Sequence, residues 1–308
     1  MQRSRVKSPN QVIFCAGTLF IGERRGPYAY GGQSAEGISG RMTGFFEGLA
    51  EFSVLLAVLY GVTVALYFLL GCSIIWLNNR NPERRIQKKR RGEKRKAAEI
   101  RLSLASILVT CLSVTIGLFA QYKGWAMQPW DFNWWTAVPL FLLCMVLFDA
   151  WFYFAHRLLH TKYFYKYHLE HHRSVAPTVW SNDSIGLVDT ALSQGFYAVI
   201  VFIVPFPPLI VLANRLFDQI NGTFGHAGFE YFASKTARRP SPLLCTTYHD
   251  QHHAEFKYNF ANYFSFWDRA LGTISPVYDR RVETFEKEAP PINLKLERQI
   301  AGTRKAET

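Results

Sequence analysis

Residues 52–77 read FSVLLAVLYGVTVALYFLLGCSIIWL, a run of 26 residues without a charged side chain. At about 1.5 Å per residue, a helix of that length exceeds the roughly 30 Å hydrocarbon layer of a bilayer, so Phe52–Leu77 predicts a membrane-spanning helix. Immediately after it, Arg80 to Arg101 carries 11 basic and 3 acidic residues, a local excess of +8 within a chain of net charge +12. Leu102 to Ala120 adds 19 more uncharged residues. A dense basic connection between two apolar runs is what the positive-inside rule expects of a short cytosolic loop, and it gives that charge a use other than nucleic-acid binding. The whole chain agrees with a bilayer protein: of 308 residues, 49% are hydrophobic and 16% aromatic, against 19% charged.

Beyond the hairpin, Trp125, Trp130, Trp134 and Trp135 surround Lys123 and Asp131, the composition of an aromatic belt at the opposite interface. Trp135 to Ala155 returns across the membrane with one charge, Asp149, and delivers the chain to His156. Ser184 to Val204 is a further run of 21 residues with one charge, Asp189. Pro205-Phe206-Pro207-Pro208 follows and reads as a turn, because proline does not readily continue a helix. The apolar Leu209 to Ala213 then brings the chain back, which places Asn214 onward in the cytosol.

The expected fold is therefore an all-α integral membrane protein with about four to five membrane-embedded helices and a cytosolic histidine-rich cap. Four regions are expected: an N-terminal extension over 1–44, a membrane hairpin with its basic loop over 45–135, a membrane-embedded catalytic region over 136–280, and a tail over 281–308. Residues 1–44 hold a ten-residue apolar run, Val12–Ile21, without a convincing cleavage site, and read as a poorly ordered extension rather than a signal peptide. Cys15, Cys72, Cys111, Cys144 and Cys245 form no C-x-x-C pair, and the first four lie in apolar runs, so neither a disulfide framework nor a thiolate site is expected.

All nine histidines fall between His156 and His253. They read His156-x3-His160, His168-x2-His171-His172, a single His226, and His249-x2-His252-His253. Residues three and four apart share a helix face, so each group can present two imidazoles to one metal region. Neutral imidazole suits iron, zinc, copper or nickel, and nine such ligands exceed what one four-coordinate zinc uses. Two metals are the economical reading; iron is favoured for oxygen chemistry, although the spacing does not exclude two zincs. No His-Glu-x-x-His, Gly-x-Ser-x-Gly or Walker pattern occurs. Because metal-bound imidazoles usually donate their second N–H to an acceptor, Asp149, Asp189, Glu230, Asp250 and Asp268 are candidate partners, with the membrane-segment acids Asp149 and Asp189 foremost.

This ordered set of boxes resembles the membrane fatty acid hydroxylase and sterol desaturase superfamily. The likeness runs from about Leu140 to Tyr278 and takes in Asn221-Gly222-Thr223-Phe224-Gly225-His226-Ala227-Gly228, Asn262-Tyr263, Trp267-Asp268 and Gly272-Thr273. The resemblance implies that His156, His160, His168, His171, His172, His226, His249, His252 and His253 ligate two iron ions. It implies an O2-dependent hydroxylation, or a desaturation, of a C–H bond of a fatty acyl chain, sterol or related lipid. Electrons would come from a separate donor, cytochrome b5 or a ferredoxin with its NAD(P)H reductase, since this chain has no haem- or nucleotide-binding segment of its own. The expected setting is a bacterial inner membrane or the endoplasmic reticulum, with the site facing the cytosol.

Two rivals make different expectations. A non-enzymatic metal-binding or transport protein predicts ligands scattered along several spanning helices beside a polar path. A di-zinc hydrolase predicts carboxylate ligands and a bridging water.

Overall fold

The computed structural model describes residues 14–15, 18–19 and 35–294. The chain divides into two compact units, Met1–Gly48 and Leu49–Thr308. In the first, β1 (Phe14–Cys15) pairs antiparallel with β2 (Thr18–Leu19). The other residues of 1–34, and 295–308, lie outside the described residues, and with them most of the expected extension and half of the expected tail.

The remaining described structure is helical, as the composition predicts. Helix α1 (Ala35–Arg80), α2 (Lys96–Tyr122) and α3 (Trp134–Leu159) are each long and apolar enough to cross a membrane. They cover the apolar runs Phe52–Leu77, Leu102–Ala120 and Trp135–Ala155 read from the sequence. Only 11% of the most apolar window of α1 is buried within the protein, against 56% for α2, so α1 presents most of its surface to lipid. Apolar contact gains little from leaving lipid, and close approach through small residues takes over as the packing device. A Cβ on Gly117 would stand 2.2 Å from the Tyr197 carbonyl oxygen, and one on Gly71 2.6 Å from the Trp180 ring.

The fourth apolar run differs from a plain span. It is broken into α5 (Leu187–Gln194), α6 (Phe196–Val199) and a 3-10 turn at Ile200–Phe202, before α7 (Pro208–Gly225) returns. The break falls at Gly195, where a side chain would meet the Ala191 carbonyl oxygen at 2.4 Å. The descending segment packs on α2, and α7 packs on α3. Between them, Pro205 accepts from the Trp130 amide at 2.8 Å, and Phe206 from Gln121 Nε2 at 3.0 Å. The proline turn thus lies beside the tryptophan-rich segment.

A core of Val114, Met145, Phe148, Phe196, Tyr197, Val201, Phe206 and Val211 fills this bundle. At its other end lie α4 (Tyr165–His172), α8 (Thr246–Glu255), α9 (Phe266–Ala270) and α10 (Tyr278–Glu288). They surround a second core of Tyr153, Cys245, Tyr248, Phe260, Tyr278 and Val282. Asn214, Arg215, Asp218 and Gln219 are buried along α7, where the charges of Arg215 and Asp218 meet each other at 3.1 Å.

Candidate metal centre

Helical periodicity sorts the histidines. His156 and His160 stand one turn apart, at the end of α3 and at its C-cap. On α4, His168 and His172 share a stripe, with His171 about 100° around the helix. On α8, His249 and His253 share a stripe, with His252 beside it. His226 is the C-cap of α7. The result is two groups, His156, His160, His168, His172 and His252 in one, and His171, His226, His249 and His253 in the other, the ligand atoms of each lying within 4.8 Å of one another. Each His-x2-His-His box is therefore split: its i,i+4 pair serves one group and its middle histidine the other.

The rings turn Nε2 inward. His156 Nε2 lies 3.1 Å from His168 Nε2, His160 Nε2 3.0 Å from His172 Nε2, and His252 Nε2 3.2 Å from His172 Nε2. In the second group, His249 Nε2 lies 3.0 Å from both His226 Nε2 and His253 Nε2. Outward-facing Nδ1 atoms meet acceptors: His156 donates to the Phe260 carbonyl at 2.8 Å, His252 to Tyr258 at 2.6 Å, and His226 to Gly222 at 2.7 Å. His168 Nδ1 faces Asp189 Oδ2 at 2.6 Å. A carbonyl only accepts, so these rings carry their proton on Nδ1 and leave Nε2 as a bare lone pair. His156 and His168 bring their Nε2 atoms face to face at 3.1 Å, an arrangement that suits a cation held by both rings. His172 and His253 have no Nδ1 partner among the described residues.

Burial, together with the nearness of the other rings, pushes His168, His171, His172, His249, His252 and His253 well below the usual imidazole range. Burial likewise pushes His226 down to about 4, against the Gly222 carbonyl. Neutral rings are the ligand form. No carboxylate belongs to either group.

Among the five candidate acids, only Asp189 touches a histidine. Asp149 instead accepts from the backbone amides of Asn262 and Tyr263, at 3.0 and 2.6 Å. Asp268 accepts from the Phe260 and Ala261 amides, at 2.9 and 2.8 Å, and from the Tyr248 hydroxyl. Both acids therefore hold the 256–264 segment, whose Tyr258 and Phe260 carbonyls orient His252 and His156. Asn259, at φ 64°, braces that segment by donating to the Tyr248 carbonyl and accepting from the Ser275 amide. Glu230 accepts from the Thr247 amide at 2.7 Å and so satisfies the first turn of α8. Asp250 pairs with Arg90 at 2.5 Å and Gln87 at 2.9 Å, tying the basic loop to α8.

Sequence reasoning missed a buried polar network beside the histidines. Arg215 pairs with Asp218 at 3.1 Å, and Gln219 donates to Asp183 at 2.7 Å. Asp218 also accepts from Asn262 at 2.8 Å, Tyr263 at 3.2 Å and Gln194 at 3.3 Å. A cavity runs between this network and His156, His168, His171, His226 and His249. The available clue was Arg215 and Asp218 at i,i+3 directly after an apolar run.

Residues 141–273 match the fatty acid hydroxylase family model. The chain is 34% identical over 158 residues to methylsterol monooxygenase 1 of Gallus gallus, covering 49% of this chain and 50% of the relative. It is 31% identical over 136 residues to a Delta(7)-sterol 5(6)-desaturase of Gibberella zeae, covering 44% of this chain and 36% of that one. It is 30% identical over 138 residues to cholesterol 25-hydroxylase of Rattus norvegicus, covering 43% and 46%. These matches place the likeness in the 141–273 region, and the relatives carry the names of lipid-oxidising enzymes. The chain spans about half the length of the curated relatives it matches. No solved structure matches it.

Proposed function

We propose that the chain is a membrane di-iron oxygenase that uses O2 and external electrons to hydroxylate a C–H bond of a lipid, with 136–280 as its catalytic region. The observation that carries this reading is the division of nine histidines into groups of five and four with Nε2 turned inward. In it, His156, His160, His168, His172 and His252 hold one iron, and His171, His226, His249 and His253 the other. When bound, the metal pair supplies O2 activation. The all-imidazole donor set favours redox-active iron over a di-zinc hydrolase, which recruits carboxylates. Gathering of the ligands at one end of the bundle disfavours a transport path.

The protein's own groups orient and shield. Phe260, Tyr258 and Gly222 carbonyls and Asp189 fix the ring tautomers. The buried setting excludes water from the reacting centre. Each turnover takes one O2, two electrons and two protons with R–H, and yields R–OH and water. The electrons come from a separate donor, cytochrome b5 or a ferredoxin with its NAD(P)H reductase. Hydroxylation is preferred to desaturation because it needs one positioned carbon rather than two adjacent ones. The site faces the cytosol of an endoplasmic reticulum or bacterial inner membrane.

The test is metal analysis of purified protein, together with lipid mass spectrometry under labelled O2 against a His172→Ala control. The expected result is close to two irons per chain and a lipid heavier by one labelled oxygen. Zinc without iron after iron-replete expression overturns the metal assignment, and a product lacking only two hydrogens makes the enzyme a desaturase.

A further inference from the structure

The cavity beside the histidines has two chemically distinct walls. One is formed by His156, His168, His171, His226 and His249, and the other carries Gln194, Asp183 and Asp218. Most polar atoms of the second wall have partners. Asp218 Oδ2 takes Arg215 and Gln194, and Asp218 Oδ1 takes Asn262 and Tyr263. One acceptor does not: Gln194 is 8% exposed, and its Oε1 has no partner among the described residues. Beside it on the same wall, Asp183 Oδ1 faces Arg215 at 3.8 Å, beyond hydrogen-bond distance. A buried acceptor left unmade costs about 1–3 kcal/mol, so such atoms mark a place where a donor belongs.

No Lys or Arg lines this cavity, and Arg215 is shared between two aspartates. An anionic headgroup entering here would meet carboxylates without a cation of its own. The cavity, about 100 Å³, is well below the roughly 300–1,000 Å³ of pockets that enclose a whole ligand, so it takes one end of a lipid. Along α5, Gln194 lies five residues from Asp189, the partner of His168, which is a rise of about 7.5 Å. Gln219, which holds Asp183, lies seven residues before His226, about 10 Å.

We infer that this wall selects the substrate by a hydrogen-bond-donating group, a hydroxyl or an amine, which docks on Gln194 and Asp183 and places the oxidised carbon roughly 7–10 Å away at the histidines. The inference rests on the proposed lipid oxygenase and adds the chemical class of its substrate: a neutral or cationic lipid with a donor at the end that enters, rather than a free fatty acid entering by its carboxylate.

The test is binding alone, on metal-loaded protein in detergent without reductant, so its outcome does not depend on the oxygenase reading. Affinities are measured for hexadecan-1-ol, hexadecan-1-amine, hexadecyl methyl ether and hexadecanoate. The alcohol, the amine or both are expected to bind at least about tenfold tighter than the ether and hexadecanoate, and whichever does so identifies the donor. Gln194→Leu is expected to reduce that preference to less than about threefold, and Gln194→Met takes its place if the leucine variant is not recovered folded. Equal binding of alcohol and ether, tighter binding of hexadecanoate, no binding of any probe, or an undiminished preference in the variant overturns the inference.

Discussion

Nine histidines in three boxes and a singlet are plain in the sequence, and so is the periodicity that brings i and i+4 to one face. Which acid serves them is not. Asp149 and Asp189 look equivalent as lone charges in apolar runs, yet one takes backbone amides 113 and 114 positions away and the other a histidine. That difference is made by tertiary contact and has no local signature. It yields a prediction: Asp189→Leu removes the acceptor for His168 Nδ1, so iron affinity should fall about 10–100-fold with membrane insertion intact, as read by chelator competition on purified protein. A second follows from the uneven grouping. His249→Ala leaves three imidazoles in its group and the five of the other untouched, so iron should drop to roughly one per chain and labelled-oxygen product should be lost. Retention of both irons would remove His249 from the ligand set.

At the level of elements, the three long spans were legible because a run of 19 residues or more with at most one charge has few other readings. The run 184–204 satisfied the same rule and still does not make one helix. Hydropathy counts apolar residues but is blind to backbone approach, and here α2 comes so near that the Tyr197 carbonyl oxygen occupies the space of a side chain at Gly117. The polar network on α7 was missed for a related reason: a hydropathy scan cannot know that Arg215 and Asp218 pair with each other within the bundle. Gly117→Ala should therefore cost about 1–3 kcal/mol by overpacking. Gly61→Ala has nothing within 4 Å of the added carbon, and should be neutral or stabilising by up to about 1 kcal/mol through helix propensity. Thermal unfolding in detergent distinguishes them, and equal midpoints would mean that α2 and α6 do not meet as closely as described.

Across the whole molecule, the basic loop and the histidine cluster are joined. Arg90 pairs with Asp250, which lies between His249 and His252, and Arg95 pairs with Glu170 at 2.8 Å, next to His171. Glu99 accepts from Ser174 and Thr178, at 2.6 and 2.9 Å, directly after the second histidine box. These contacts put loop and histidines on one side of the bundle, while the tryptophan-rich segment and the proline turn share the other end. The positive-inside rule then predicts that the first side faces the cytosol, because a loop with an excess of +8 tends to be retained there during insertion. Lys88 and Lys257 are exposed at the histidine end and Asp131 at the far end. In a background with Cys15 and Cys72 replaced by serine, Lys88→Cys and Lys257→Cys should react together with an impermeant maleimide offered from the cytosolic face. Asp131→Cys should react only from the opposite face. Labelling of Lys88→Cys and Lys257→Cys from different faces would break the shared side on which the Arg90–Asp250 contact depends, whereas labelling of both from the far face would leave the fold standing and reverse only its orientation.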